Sequence, residues 1–69
     1  MERILITGAL GQLGNAFVNN FNKTNCYILA TDIRHPKIKM NCEFEILDVL
    51  NKERIDLLVE KYKINIIYH

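Results

Sequence analysis

All three glycines of this 69-residue chain fall within residues 8–14. They follow residues 3–7 (RILIT), a run rich in β-branched side chains that predicts a buried strand. After the glycines an apolar residue recurs at helical spacing, which predicts a helix over about 12–22. The core face of that helix is expected to comprise Leu13, Ala16, Phe17 and Phe21. A glycine-rich turn between a buried strand and a helix restricts the chain to α/β architectures.

The rest of the chain continues this alternation. Residues 22–25 predict a turn, and residues 26–31 predict a second buried strand that ends at Asp32. Residues 33–42 contain the only proline and predict a loop. A strand over 43–47, a helix over 51–62 capped by Asn51 with Glu53 in its first turn, and a strand over 64–68 complete the pattern.

Alternating strands and helices predict a parallel sheet with strand order 3-2-1-4 and two helices. This arrangement is half of a doubly wound nucleotide-binding fold plus one strand, the N-terminal part of a Rossmann fold. Residues 1–69 are expected to form one partial domain of this kind. The connection over 33–42 is short for a parallel crossover, which usually takes a dozen residues or more.

Composition excludes several classes of function. Nine basic and eight acidic residues give a net charge of +1, so nothing predicts a nucleic-acid or membrane partner. No apolar run spans a bilayer and no signal peptide is recognisable, so the expected location is the cytoplasm. Cys26 and Cys42 are expected to stay reduced, and no metal site is predicted because no paired ligand spacing occurs.

The glycine spacing, G-x-x-G-x-x-G, predicts a phosphate-binding turn. Gly8 would allow the tight turn, Gly11 the approach of a diphosphate, and Gly14 close packing of the helix on the sheet. The helix N-terminus would offer free N–H groups and partial positive charge to the phosphates. The alternative is an ordinary strand-to-helix turn without a ligand.

Acidic residues end the next two strands. Asp32 lies eighteen residues after Gly14, where a carboxylate can accept hydrogen bonds from an adenosine ribose and repel a 2′-phosphate, which favours NAD. Arg34 and the basic residues after it could instead receive that phosphate, or could belong to a solvated loop. Asp48 and Val49 could contact adenine, or Asp48 could cap the following helix.

Taken together, residues 4–14, 31–34, 44–49 and 66–69 resemble the start of the extended short-chain dehydrogenases/reductases, the NAD-dependent epimerase/dehydratase family. Within it, the chain is most similar to the branch of short-chain-type L-threonine 3-dehydrogenases, enzymes of threonine catabolism. The resemblance implies an NAD-binding N-terminal portion of an oxidoreductase that transfers hydride from the substrate's hydroxyl-bearing carbon to NAD. The implied cofactor-binding residues are Gly8, Gly11, Gln12, Leu13, Gly14, Asp32, Ile33, Arg34, Asp48 and Val49.

The family's catalytic Tyr-x-x-x-Lys pair does not occur in these residues. The residue four positions after Tyr27 is Thr31, and the residue four positions after Tyr62 is Ile66. We therefore expect an N-terminal fragment that supplies no catalytic residue and meets a small-molecule substrate only in an intact enzyme. The alternatives are a nucleotide-sugar epimerase or dehydratase of the same superfamily, and a non-catalytic nucleotide-binding remnant. The last strand is expected to expose Ile64, Ile66 and Ile67 along an edge that permits self-association.

Overall fold

The computed structural model describes residues 1–21 and 25–69. Six elements follow one another in the predicted order, and they form a four-stranded sheet with the order β3-β2-β1-β4. Every pair of neighbouring strands is parallel, which confirms the predicted topology. The elements are β1 (Glu2–Ile6), α1 (Gln12–Phe21), β2 (Cys26–Asp32), β3 (Glu43–Ile46), α2 (Lys52–Tyr62) and β4 (Ile66–Tyr68).

The sheet carries a separate apolar cluster on each face because successive side chains of a strand point to opposite sides. Ile4 and Ile6 of β1 join Val18 of α1 on one face, where Met40 and Phe44 also pack. On the opposite face, β1 contributes a single residue to the cluster that packs against α2; this cluster comprises Leu5, Leu29, Leu47, Leu58 and Ile64. Both faces of β1 and β2 are thus covered, which explains their continuous apolar sequences.

The inner face of helix α1 agrees with the prediction at Phe17 but differs from it at Leu13 and Ala16. Leu13 is 69% exposed and Ala16 is also exposed, whereas Gly14 and Val18 are buried and Phe17 packs against the core. Gly14 lies against the backbone of Gly8 and Ala9 in the turn after β1, and a residue without a side chain gives the apolar pattern no sign of this contact. The side chain of Phe21 lies outside the described part of the structure. Of the turn predicted over 22–25, only residue 25 is described.

The helix α2 is fixed at both ends and along its inner side. Asn51 caps it, as predicted, by accepting a hydrogen bond from the Arg54 N–H, and Lys63 ends it in the left-handed conformation with φ 56°. Glu45 of β3 accepts a hydrogen bond from Tyr62 and pairs with Arg54 at 3.1 Å. The Glu45 carboxylate raises the pKa of Tyr62 to about 12. These contacts hold α2 across β3 and thereby position the loop that precedes the helix.

The strand β4 begins two residues later than predicted. The turn at Lys63 directs Ile64 into the core, where it is 9% exposed, so Ile64 does not lie on the sheet edge. Asn65 then exchanges hydrogen bonds with the backbone of Arg3 and aligns the strand with β1. Ile67 is 40% exposed and β4 is an edge strand of the sheet, but self-association through it stays a prediction.

The crossover between β2 and β3 contains neither helix nor strand over residues 33–42, as predicted. Its Met40 and Cys42 pack on the face of the sheet beside α1, so ten residues are enough to connect two neighbouring parallel strands. Cys26 and Cys42 are not joined by a disulfide. Of the two helices in the described part of the chain, neither is long and apolar enough to cross a membrane.

Candidate functional site: the glycine turn and its crevice

The glycine turn connects β1 to α1 in a few residues. Gly8 has φ +61°, a conformation that side-chain-bearing residues rarely adopt, and this lets the chain reverse immediately after Thr7. The Gly11 N–H donates to the Gly8 carbonyl at 3.0 Å, and the Asn15 N–H donates to the Gly11 carbonyl at 2.9 Å as the helix begins. The turn therefore leads directly into the first turn of α1.

The helix approaches the turn more closely than any side chain would allow. A Cβ atom placed on Gly14 would lie 2.2 Å from the Gly8 carbonyl oxygen and 2.8 Å from the Ala9 Cα. Both are backbone atoms, which cannot move aside without moving the turn. The absence of a side chain at residue 14 therefore brings the N-terminal N–H groups of α1, those of Gln12, Leu13 and Gly14, beside the turn.

Two neighbouring strands hold the turn in place. The Ala9 N–H donates to the Thr31 carbonyl of β2, and the Thr7 N–H donates to the Tyr68 carbonyl of β4, both at 2.9 Å. The turn thus lies at the carboxyl ends of the central strands. From β1 the chain order continues to β2 and β3 on one side of the sheet and to β4 on the other, so the strand order reverses at β1. In open parallel sheets this reversal of strand order is where ligands bind.

A cleft of about 320 Å³ opens at this position. Gly8, Leu13, Gly14 and Val49, all predicted site residues, line it. The exposed side chain of Leu13 lies at the cleft, a position compatible with the predicted cofactor contact. It does not lie in the core, where the helical pattern had placed it.

Other residues of this cleft were not among the predicted site residues. Thr7, Phe17, Tyr68 and His69 also line it, and the rings of Phe17 and Tyr68 lie 5.5 Å apart. The Oγ1 of Thr7 lies 3.4 Å from Nδ1 of His69. The predicted strand order contained the signal for Thr7, Tyr68 and His69, because it places the carboxyl ends of β1 and β4 side by side.

Asp32 lies at the end of β2 with only 4% of its surface exposed. Its Oδ2 accepts a hydrogen bond from the Leu10 N–H at 3.0 Å, which joins the carboxylate to the glycine turn. The Arg34 guanidinium also binds it, with Nε 3.1 Å from Oδ1. Hydrogen bonds from the Arg34 side chain, with further ones from the Arg34 and Leu10 backbones, lower the pKa of Asp32 to about 2 despite its burial. The carboxylate is therefore ionised at neutral pH.

A second cleft begins at Leu10 of the same turn. It measures about 240 Å³ and is lined by Leu10, Arg34, His35 and Lys37. Arg34, which pairs with Asp32, and Lys37 place two positive charges along this cleft. Ile33, another predicted site residue, has its side chain 64% exposed beside Asp32.

Asp48 does not cap α2, since Asn51 performs that function. Its Oδ1 instead accepts the Leu50 N–H at 2.9 Å, and its carbonyl accepts the Asn51 N–H, so Asp48 shapes the loop before the helix. Asp48 is exposed at the end of β3, next to Val49 in the cleft. The loop conformation thus places Val49 at the crevice, while an adenine contact for Asp48 stays a prediction.

A third cleft, of about 330 Å³, lies between α1 and the crossover. Asn15, Val18 and Asn19 line one side, and residues 36–41 line the other. None of the predicted site residues lines it. Because the clefts are of similar size, it is the position of the hydrogen-bond donors and of Asp32 that marks the glycine turn as the candidate site.

With this geometry established, comparison with known proteins identifies the family. The model of the NAD dependent epimerase/dehydratase family matches residues 4–69. The chain belongs to this family. Uncharacterized epimerase/dehydratases of Staphylococcus haemolyticus and Staphylococcus saprophyticus subsp. saprophyticus are 45% and 46% identical to it over 74 residues. Each alignment covers 100% of this chain and 23% of the relative, so the chain spans about a quarter of the relatives' length.

Solved structures agree with the family assignment. A monomeric L-threonine 3-dehydrogenase from a metagenome, in its apo form, superposes with a TM-score of 0.86 and is 35% identical. That alignment covers 96% of this chain and 22% of the dehydrogenase. A dTDP-glucose 4,6-dehydratase from Bacillus anthracis in complex with NAD gives a TM-score of 0.83 over 97% of this chain and 25% of its own. At 19% identity this second likeness shows the fold alone, which is the Rossmann type.

The close approach at Gly14 leads to a prediction about stability. Gly14→Ala is expected to destabilise the chain by about 1–3 kcal/mol, because the new methyl group overlaps the backbone of Gly8 and Ala9. Gly11→Ala is the matched control, since its Cβ would lie 3.4 Å from the Gly8 oxygen, an ordinary contact distance. Urea unfolding of both variants measures the difference, and equal stabilities would contradict the proposed packing.

The low pKa of Asp32 leads to a prediction about pH. Because the pKa in the folded chain, about 2, lies below the ordinary value of 3.8, ionised Asp32 stabilises the fold above pH 4. That stabilisation, up to about 2 kcal/mol, is lost as the pH falls from about 4 to 2. Asp32→Asn cannot titrate, so its unfolding free energy is expected to fall less than that of the wild type over this interval. If the unfolding free energies of the wild type and of Asp32→Asn fell equally over this pH interval, the lowered pKa of Asp32 would be contradicted.

Proposed function

We propose that the chain is the NAD-binding N-terminal portion of an oxidoreductase that resembles L-threonine 3-dehydrogenase. One observation carries the proposal: the Leu10 N–H of the glycine turn donates to Asp32 Oδ2 at 3.0 Å. This bond joins a turn suited to a diphosphate with a carboxylate suited to a ribose. A dinucleotide contains both groups in the corresponding order.

The residues of the site fit this cofactor. Because residue 14 has no side chain, the first-turn N–H groups of α1 lie beside the glycine turn, and phosphate oxygens can accept hydrogen bonds from them. Asp32 would bind the adenosine ribose, with Ile33 and Arg34 next to it at the end of β2, and Asp48 with Val49 would border the adenine. The ionised, buried Asp32 disfavours a 2′-phosphate, which supports NAD over NADP.

Bound NAD would supply the hydride acceptor, and these residues would bind and orient its adenosine and diphosphate. Proton transfer and substrate binding would then belong to other parts of an intact enzyme, because no Tyr-x-x-x-Lys sequence occurs among these 69 residues. The proposed reaction is transfer of hydride from the hydroxyl-bearing carbon of the substrate to NAD. A cytoplasmic location is part of the proposal.

The substrate assignment rests on the relative whose sequence is 35% identical, an L-threonine 3-dehydrogenase. A nucleotide-sugar epimerase or dehydratase is the second candidate, because the staphylococcal relatives, 45% and 46% identical, are described as epimerase/dehydratases. A nucleotide-binding chain without catalysis is the third candidate, since the tyrosine–lysine pair is missing from these residues. The two tests below separate the three.

Titration of the 69-residue chain with NAD tests the cofactor proposal. Calorimetry is expected to give a Kd on the order of a millimolar or weaker, because only the adenosine and diphosphate part of the cofactor has partners here. Gly11→Ala is expected to weaken binding about tenfold, since its methyl group would stand where the diphosphate approaches the backbone. Asn19→Ala, on the far side of α1, is the control with unchanged affinity. Equal affinity of all three proteins would refute diphosphate binding at the turn.

The test of activity begins with the coding sequence downstream of these 69 residues. If the gene continues into a Tyr-x-x-x-Lys segment, the longer protein is expected to reduce NAD in the presence of L-threonine, which absorbance of the reduced nicotinamide measures. Turnover of a nucleotide sugar without net NAD reduction would favour the epimerase alternative. Unrelated sequence downstream would leave the non-catalytic binding chain as the function of this locus.

A further inference from the structure

Asp32 accepts four hydrogen bonds. Oδ1 accepts from the N–H of Arg34 at 3.0 Å and from its Nε at 3.1 Å. Oδ2 accepts from the Leu10 N–H at 3.0 Å and from Nη2 of Arg34 at 3.3 Å. An ionised carboxylate offers about four lone-pair sites. All of them are therefore in use in this structure, and the carboxylate is only 4% exposed.

The four donors are of two kinds. The N–H groups of Leu10 and Arg34 belong to the backbone and hold the carboxylate in place through the glycine turn and the end of β2. The other two belong to the Arg34 guanidinium, whose side chain is 63% exposed. The guanidinium can leave the carboxylate by rotation of its own side chain, whereas the backbone donors cannot.

We propose that the Arg34 guanidinium occupies, in the ligand-free chain, the two acceptor sites of Asp32 that the ribose diol of an adenosine ligand takes. Arg34 is then an internal competitor of the ligand and determines the specificity of the site for the diol. This inference rests on the proposed function, because it presumes that an adenosine ribose binds at Asp32.

The exchange is balanced in hydrogen bonds. Two N–H donors of the guanidinium leave and two hydroxyl donors of the ribose arrive, while the backbone N–H groups stay on the carboxylate. The released guanidinium borders the cleft of about 240 Å³ and is already largely in water, so its own rehydration is easy. The ribose hydroxyls replace the two guanidinium hydrogen bonds one for one, so the competition stays weak enough for a ligand to overcome.

A ligand without the diol cannot complete this exchange. If it displaced Arg34, the buried carboxylate would lose two hydrogen bonds with nothing in their place, which is unfavourable. Such a ligand is therefore expected to bind with Arg34 still on Asp32. Removing the guanidinium then improves binding only for ligands that carry the diol.

The test compares ADP with 2′,3′-dideoxy-ADP on the 69-residue chain, with Kd values from NMR titration. The measured quantity is the ratio of the two Kd values, in which the general effect of a lost positive charge cancels. Arg34→Ala is expected to raise the preference for ADP about threefold over the wild type. Lys39→Ala removes a charge from the same crossover without touching Asp32, and is expected to leave the ratio unchanged.

Arg34→Lys is the second variant, because it keeps the charge but lacks the planar pair of donors that spans both carboxylate oxygens. It is expected to raise the preference for ADP as well, by less than the alanine variant. An unchanged or lower preference in Arg34→Ala, with ADP still binding, overturns this inference alone. Failure of both NAD and ADP to bind any of the proteins overturns the proposed function and this inference with it.

Discussion

The contact between two backbones, that of the first turn of α1 and that of Gly8 and Ala9, is the constraint on which the candidate site depends. At 2.2 Å from the Gly8 oxygen there is no space for a Cβ on residue 14, so the helix can lie where it does only with glycine there. That position directs the positive end of α1 toward the carboxyl ends of β1 and β4. The crevice therefore receives hydrogen-bond donors from the backbone at the start of α1.

The second constraint is electrostatic. Asp32 is nearly inaccessible to solvent, yet hydrogen bonds from Leu10 and Arg34 keep it ionised. A buried charge of this kind is stable only when its acceptor sites are filled. The same requirement explains why a side chain covers the carboxylate in the ligand-free chain, and why any ligand there has to bring donors of its own. Stability of the free chain and affinity for a ligand thus draw on the same four acceptor sites.

Sequence patterns were enough to predict the order of the elements, the parallel sheet and the location of the turn. The apolar residues of a strand and of a helix recur at different spacings, so the two can be told apart. The three glycines within residues 8–14 then mark where β1 ends and α1 begins. For the inner face of α1 the pattern was right at Phe17 but wrong at Leu13, which is apolar yet lines the crevice, and it missed the close backbone contact made by Gly14. It was also wrong for Ile64, which a turn at Lys63 moves from the strand into the core. Periodicity likewise cannot show that Arg34 folds back on Asp32, because that depends on the conformation of the irregular chain directly after β2.

The most direct test of the central claim is to map NAD binding on the 15N-labelled chain by NMR. Binding at the glycine turn predicts that the largest shifts occur at the amides of residues 8–14, with smaller ones at residues 32–34. Shifts confined to Asn15, Asn19 and residues 37–41 would place the ligand in the cleft between α1 and the crossover, and would contradict the account.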